Sequence, residues 1–250
     1  MRSNSDCNLC IVVPIYNHGK QLRNTIKNIA RYNLPIILIN DGSQDNTIEI
    51  MREVASEFNN IVLTESLDKN QGKGVAVSHG ASLAFKVGYT HMLQIDADGQ
   101  HDSNDIPKFI QAMQQNPQAL ISGMPIYDDS IPKSRLHGRK ITNFWVAIET
   151  LSFDLKESMC GFRIYPLEAY TKLMHKRTFS VKMDFDIDVI VRMYWLGLPI
   201  VYINTKVIYP QDGYSNFRMF RDNVRISWTH TKLVTGMIIR LPILLWRKIR

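Results

Sequence analysis

Three cysteines in 250 residues are too few for a disulfide framework, and reduced thiols suit the cytosol. Cys7-x-x-Cys10 has the spacing of half a zinc site or a redox pair, but Cys160 is the only other thiol. No second pair exists to complete it, and Cys10 opens an apolar run, so ordinary core or edge thiols are expected. No stretch reaches the ~18 apolar residues of a membrane-spanning helix. The longest, Leu233 to Trp246, is short and interrupted by Arg240. A secretory leader is not expected, because Asp6 falls inside the would-be leader and Pro14 ends the apolar run behind it. Internal repeats and low-complexity linkers are also missing, which points to one large domain with a tail.

The apolar fraction of 45% supports a real core, and the net charge of +7 is unevenly placed. Residues 214–250 hold eight cations and a single acid, Asp222, so the whole excess lies there and the preceding residues balance. Nucleic-acid binding is not expected, since the charge is confined to this tail and no recognition motif accompanies it.

The first half alternates buried-strand and helix signals. Leu9-Cys10-Ile11-Val12-Val13, Ile36-Ile37-Leu38-Ile39, Ile61-Val62-Leu63 and His91-Met92-Leu93-Gln94-Ile95 read as strands, with amphipathic segments between them. Continuous apolar strands separated by helices predict an α/β fold, a mostly parallel Rossmann-like sheet with helices on both faces. Ligands of such sheets bind beyond the carboxyl ends of the strands. Pro14-Ile15-Tyr16-Asn17, Asn40-Asp41-Gly42-Ser43 and Asp96-Ala97-Asp98 all fall at those ends. The second half reads less regularly: a strand near Ala119–Ser122, a polar loop to about Arg139, a helix to Thr150, an extended Met159–Tyr165 and a helix from Phe185 to Leu196.

Side chains alternate along a strand, so Asp96 and Asp98 leave its end on one side while Ala97 faces the other. Carboxylates ~4 Å apart repel by roughly 4 kcal/mol at an effective dielectric of ~20. A hard cation between them, Mg²⁺ or Mn²⁺, or protonation of one acid relieves that repulsion. The other reading is of loop acids capping a helix that starts near Ser103. Gly72-Lys73-Gly74 precedes a helix whose N-terminus could face a phosphate, with Lys73 either bound or solvated. Arg163 sits in an apolar segment and needs an anionic partner, a substrate phosphate or a structural carboxylate. Arg135, Arg139 and Lys140 could close over a ligand or remain a charged loop.

Val13-Pro14-Ile15-Tyr16-Asn17, Asn40-Asp41-Gly42-Ser43-Gln44-Asp45-Asn46-Thr47, Asn70-Gln71-Gly72-Lys73-Gly74, Asp96-Ala97-Asp98-Gly99-Gln100-His101 and Cys160-Gly161-Phe162-Arg163 occur in that order. As a set they resemble family 2 glycosyltransferases of the GT-A fold, particularly the short branch of dolichyl- and undecaprenyl-phosphate sugar transferases. The resemblance covers roughly residues 9 to 210, with one departure: Asn40 stands where the family often has a first acid. It implies a GT-A domain over 1–213, to which the charge distribution adds a basic amphipathic helical tail over 214–250. The implied donor is a UDP- or GDP-sugar. Asp41 would bond its base, Pro14 and Tyr16 would wall the pocket, and Asn17, Lys73 and Arg139 would complete the nucleotide-sugar site. Asp41 making only a turn with Gly42 is the alternative.

Asp98 would ligate the metal directly, Gln100 would add a neutral oxygen, and Asp96 would touch ribose or a metal-bound water. His101 is either a further ligand or a solvated histidine. Asp184, Asp186 and Asp188 cluster where the family faces its acceptor. With Arg163 on a phosphate, Asp186 or Asp184 would be the base for an alcohol acceptor, whereas a phosphate monoester needs none. Acids stabilised at a helix N-terminus are the other reading. The implied reaction is inverting transfer to a lipid or polyprenyl-phosphate acceptor, or to a hydroxyl of a lipid or glycan, in envelope biosynthesis.

On one helical wheel Arg218, Arg221, Arg225, Lys232, Arg240, Arg247 and Arg250 fall within about a 100° arc, with Pro242 a kink point. Such a helix reads as docking on an anionic membrane surface, placing the protein peripherally at the inner face of the cytoplasmic membrane. A helix packed on the domain with solvated cations is the alternative. Two rivals remain: a sugar nucleotidyltransferase, which would carry a glycine-rich loop where Pro14–Asn17 stands, and a non-catalytic membrane-surface binding protein.

Overall fold

The structure, a computed structural model, describes residues 7–127, 133–176, 179–207 and 219–249. The apolar runs form β1 (Leu9–Ile15), β2 (Ile36–Asn40), β3 (Ile61–Ser66) and β4 (His91–Gln94). Between them lie α1 (Gly19–Ala30), α2 (Thr47–Glu57) and α3 (Lys73–Val87), and after β4 comes α4 (Ile106–Gln115). The second half adds β5 (Leu120–Ile126), α5 (Lys133–Thr150), β6 (Arg163–Pro166), α6 (Leu167–Lys176), α7 (Phe185–Leu196), β7 (Ile200–Lys206) and α8 (Met219–Ile249).

All seven strands share one sheet, in the order β3-β2-β1-β4-β6-β5-β7. Pairing is parallel except at β6, which runs antiparallel to both β4 and β5. Successive residues of a strand feed opposite faces. Val12, Ile37 and Ile39 join the core under α3, α6 and α7, while Ile11, Val13 and Leu38 join the core under α1, α2 and α4. From β1 the chain builds outward to β2 and β3, then returns to place β4 on the other side. The carboxyl ends of β1 and β4 therefore meet at the switch point of the sheet, where an α/β sheet opens its ligand crevice.

No described helix is long and apolar enough to cross a membrane. Helix α8 lies on the domain, with Ile226, Leu233, Met237 and Leu244 buried beneath it. Gly236 allows the close approach, since a Cβ there would stand 2.7 Å from the Trp195 ring. Two cations expected on the outer arc turn inward. Arg240 lies 4.6 Å over the Trp195 ring, and Arg247 donates to the Trp195 carbonyl at 2.9 Å, at the carboxyl end of α7. A guanidinium gains there from the ring face and from the helix dipole. Arg218 and Arg250 lie outside the described residues.

Candidate active site

Side chains latch the loops after β1 and β2 together. Asn17, in the left-handed region at φ 54°, donates its backbone N–H to Ser43 Oγ, and its Oδ1 accepts the Gln44 N–H. Asn40 is fully buried, accepts the Ser43 N–H and donates its Nδ2 to Ser66 Oγ. An amide supplies both a donor and an acceptor at that point, and a carboxylate supplies only acceptors. The buried Asp41 takes the Gln71 and Gly72 N–H groups, one on each oxygen, at 2.7 Å. Burial raises its pKa, opposed by those two hydrogen bonds and by the charge of Lys182. Tyr16 and Asn17 are half-buried at this edge and Pro14 is buried.

Lys73 is the hinge of the site. Its Nζ donates to Asp96 Oδ2 and to Asp186 Oδ2, both at 2.8 Å, and so joins the end of β4 to the first turn of α7. Burial disfavours the ammonium, yet Asp186 and Asp96 together raise its pKa well above the usual lysine range. Burial likewise opposes ionisation of Asp96, but Lys73 and then His101 hold its pKa well below the carboxylate range. Gln94 donates to Asp186 Oδ1 at 3.3 Å and accepts from the Tyr165 hydroxyl at 3.2 Å. Gly161 faces this cluster: a Cβ there would be 2.5 Å from Lys73 Nζ and 2.9 Å from Asp96 Oδ2.

The two glycines that flank Lys73 meet a different neighbour. Gly74 donates its N–H to Val181 O at 3.0 Å, and a Cβ on it would be 2.3 Å from Ser180 O. Gly72 sits at φ 111°, and a Cβ on it would be 2.1 Å from Val181 O. The segment leading into α7 is therefore laid directly on the start of α3. It is held from the far side as well. Thr229 of α8 donates to Asp184 Oδ2 at 2.6 Å, and Ser180 and Thr229 hydroxyls are 3.1 Å apart. Asp188 accepts from Ser180 N–H and from Arg192.

Arg163 is fully buried, and its donors go to Ser158 O, Asp186 O, Ser122 Oγ and the Tyr165 hydroxyl. Both sequence readings gave it an anionic partner; in the structure its partners are carbonyls and hydroxyls. Arg139 pairs with Glu157 at 2.6 Å and lies 5.2 Å over the Tyr127 ring, at the rim of the Cys160-Gly161 segment. Lys140 is exposed, and the side chain of Arg135 lies outside the described set.

Asp98 and Gln100 are half-buried, and Asp98 Oδ1 accepts the Gln100 N–H at 3.0 Å. Among the described residues no group of three or more His, Cys, Asp or Glu forms a metal cage. Asp96 Oδ1, however, is buried with no hydrogen-bond partner among them, and a second carboxylate, Asp98, follows two residues on in the sequence. A hard-oxygen pair with a free lone pair fits Mg²⁺ or Mn²⁺, which take one or two carboxylates and complete their shell from substrate phosphates. His101 stacks on Phe162, with ring centroids 5.2 Å apart, and places Nε2 3.6 Å from Asp96. A surface hollow of about 540 Å³ lies elsewhere, between α4 and the β5–β7 edge.

A family model described as glycosyl transferase family 2 matches residues 10–179. The chain belongs to that family. Among its relatives is a UDP-N-acetylglucosamine–dolichyl-phosphate N-acetylglucosaminyltransferase of Methanococcus voltae. It is 28% identical, over 64% of this chain and 69% of its own. A dolichyl-phosphate beta-glucosyltransferase of Dictyostelium discoideum is 26% identical over 89% of this chain and 74% of its own. The fold matches glucosyl-3-phosphoglycerate synthase from Mycobacterium tuberculosis, solved with Mn²⁺ and UDP-glucose. There the TM-score is 0.69 and identity 16%, over 94% of this chain and 80% of that one. A mannosyltransferase of Pyrobaculum calidifontis solved with GDP-Man and Mn²⁺ matches at TM-score 0.58 and 15% identity, over 97% of this chain and 74% of its own. The protein is thus a glycosyltransferase with a GT-A fold.

Proposed function

We propose that this glycosyltransferase moves a sugar from a UDP- or GDP-sugar to a polyprenyl phosphate at the inner face of the cytoplasmic membrane, with inversion. The single observation that carries this reading is the Asp96–Lys73–Asp186 bridge at the switch point, with Asp96 Oδ1 buried and unpartnered among the described residues. Pro14, Tyr16, Asn17 and the Asp41-anchored loop form the nucleotide side. Asp98 and Asp96, with Gln100 beside them, would hold Mg²⁺ or Mn²⁺. The ion, when bound, neutralises charge growing on the leaving diphosphate.

In the transfer, an acceptor oxygen forms a bond to the sugar's anomeric carbon from the face opposite the diphosphate. The carbon–oxygen bond to the diphosphate breaks, and its electron pair leaves with the nucleoside diphosphate. Both Asp186 oxygens are engaged, by Lys73 and Gln94, and the side chain is 7% exposed. A phosphate monoester brings its own oxyanion, so this tethered Asp186 favours a phosphate acceptor over an alcohol. Asp184, bonded by Thr229, then serves to fix the turn, and Arg163 positions Asp186 through its carbonyl. The dolichyl-phosphate names of two relatives support the same acceptor.

Asp98→Asn tests the site. Turnover on a short polyprenyl phosphate should fall ~10²-fold or more, with the fold unchanged by circular dichroism. Full metal-dependent turnover in that variant would remove the assignment.

A further inference from the structure

The sequence directs attention to the cations of the C-terminal helix, but the structure gives its outward side a different character. On a helical wheel Phe220, Trp228, Ile239 and Trp246 fall within about a 100° arc, opposite the buried Ile226, Leu233 and Leu244. Trp228 is 63% and Ile239 72% exposed. Arg221, Arg225 and Lys232 border that arc on one edge. Helix α5 continues the surface. Its Trp145 ring is 6.3 Å from His230 of α8 and 6.1 Å from Phe144, which is itself 62% exposed. Ile141 lies exposed one turn earlier.

Neither helix exposes a carboxylate. Glu149 is the only acid of α5 and is fully buried against His230; Asp222 is the only acid of α8 and is buried beside Arg225. Soluble proteins rarely leave contiguous apolar surface of this kind uncovered.

We infer that α5 and α8 together form an interfacial platform for an anionic bilayer, in which the aromatic and aliphatic side chains enter the headgroup boundary. Arg221, Arg225 and Lys232 then meet lipid phosphates at the edge. Indole rings at an apolar–polar boundary and cations at the phosphate level are the two features such binding needs. A second copy of this chain is the less fitting occupant. A symmetric contact would bring two basic edges together with no exposed carboxylate on either helix to answer them. The inference deepens the membrane-surface reading above, resting on it for its purpose. It moves the anchoring from a basic stripe to an apolar face, and adds α5 to it.

The test is flotation of the full chain with vesicles of phosphatidylcholine alone or with about 30 mol% phosphatidylserine. Wild type should float with the anionic vesicles. Trp228→Ser combined with Ile239→Ser should weaken binding ~10-fold or more, because each exposed apolar side chain contributes through burial. Phe144→Ser on α5 should weaken it several-fold, and Arg221→Gln should act on anionic vesicles only and fade with salt. Unchanged flotation of the double variant overturns the platform. So does a concentration-dependent dimer that the double variant dissolves. Turnover on a short, water-soluble polyprenyl phosphate should be unaffected by these exposed substitutions. Flotation without any such turnover in wild type would overturn the acceptor reading and leave the platform standing.

Discussion

The two halves of the molecule use buried polar side chains in opposite ways. From β1 to β4 the polar groups at the strand ends bond the backbone of a neighbouring loop: Asn17 to Gln44, Asn40 to Ser43, Asp41 to Gln71 and Gly72. From β5 onward several bond other side chains across long stretches of sequence, as in Asp186 with Lys73 and Gln94, Glu149 with His230, and Asp184 with Thr229. The first arrangement shapes a rigid rim and leaves room for a ligand. The second suspends one residue, Asp186, from three elements: its carboxylate from α3 and β4, its backbone carbonyl from β6. On the proposed function the donor side is built by loops, and the acceptor side by a cross-braced core.

Breaking the brace at its centre should have the largest effect. Lys73→Met leaves Asp96 and Asp186 facing each other without a cation. Turnover should drop ~10²–10³-fold, and removal of one partner of a buried ion pair costs about 3–5 kcal/mol of stability. Near-normal denaturation and kinetics in that variant would show that the bridge is incidental.

Gly161→Ala comes next. Its Cβ would stand 2.5 Å from Lys73 Nζ, and a displacement of that order should lower kcat ~10–10²-fold with modest loss of stability. Equal effects on both would place Gly161 in the scaffold instead.

The outermost brace should matter less. Thr229→Val removes the donor to the buried Asp184, at about 1–3 kcal/mol by chemical denaturation, with a several-fold fall in kcat. Thr229→Ser, which keeps the hydroxyl, should restore both, and failure of that rescue would assign the effect to packing.

Acid unfolding gives the smallest signal. The depressed pKa of Asp96 contributes stability that is complete above the unfolded value near ~3.9 and is lost as pH falls through the folded one. Burial opposes that depression, and Lys73 and His101 outweigh it. Wild type should therefore lose this share only below about pH 4, whereas Lys73→Met, which lacks the cation that holds the pKa down, should lose less stability over the same range. Coincident acid profiles would contradict the coupling.

This division also explains what could be read from the chain. The strands and loops of the first half depend on local pattern, so the apolar runs, Pro14 and Gly42 announce them. Gln94 is visible as an odd polar residue in His91-Met92-Leu93-Gln94, but its partner Asp186 is 92 residues away. Nothing near Thr229 marks it as a partner of Asp184, and the Ser180–Val181 backbone explains Gly72 and Gly74 only once the chain is folded. The antiparallel course of β6 and the helix α6 also follow from packing rather than from a local signal. Arg240 and Arg247 lie on the cationic arc of the wheel, yet Trp195 and the end of α7 draw them inward. A wheel records angle and not neighbours.

The central claim is that the end of β4 grips a sugar nucleotide through a divalent ion. Calorimetry of UDP- and GDP-sugars with and without Mn²⁺, on wild type and Asp98→Asn, tests it most directly. The account predicts that one donor binds wild type at least ~10-fold tighter with Mn²⁺, and that Asp98→Asn loses that difference while its metal-free binding is unchanged. Equal affinity with and without the ion in wild type, or a metal effect that survives Asp98→Asn, would contradict it.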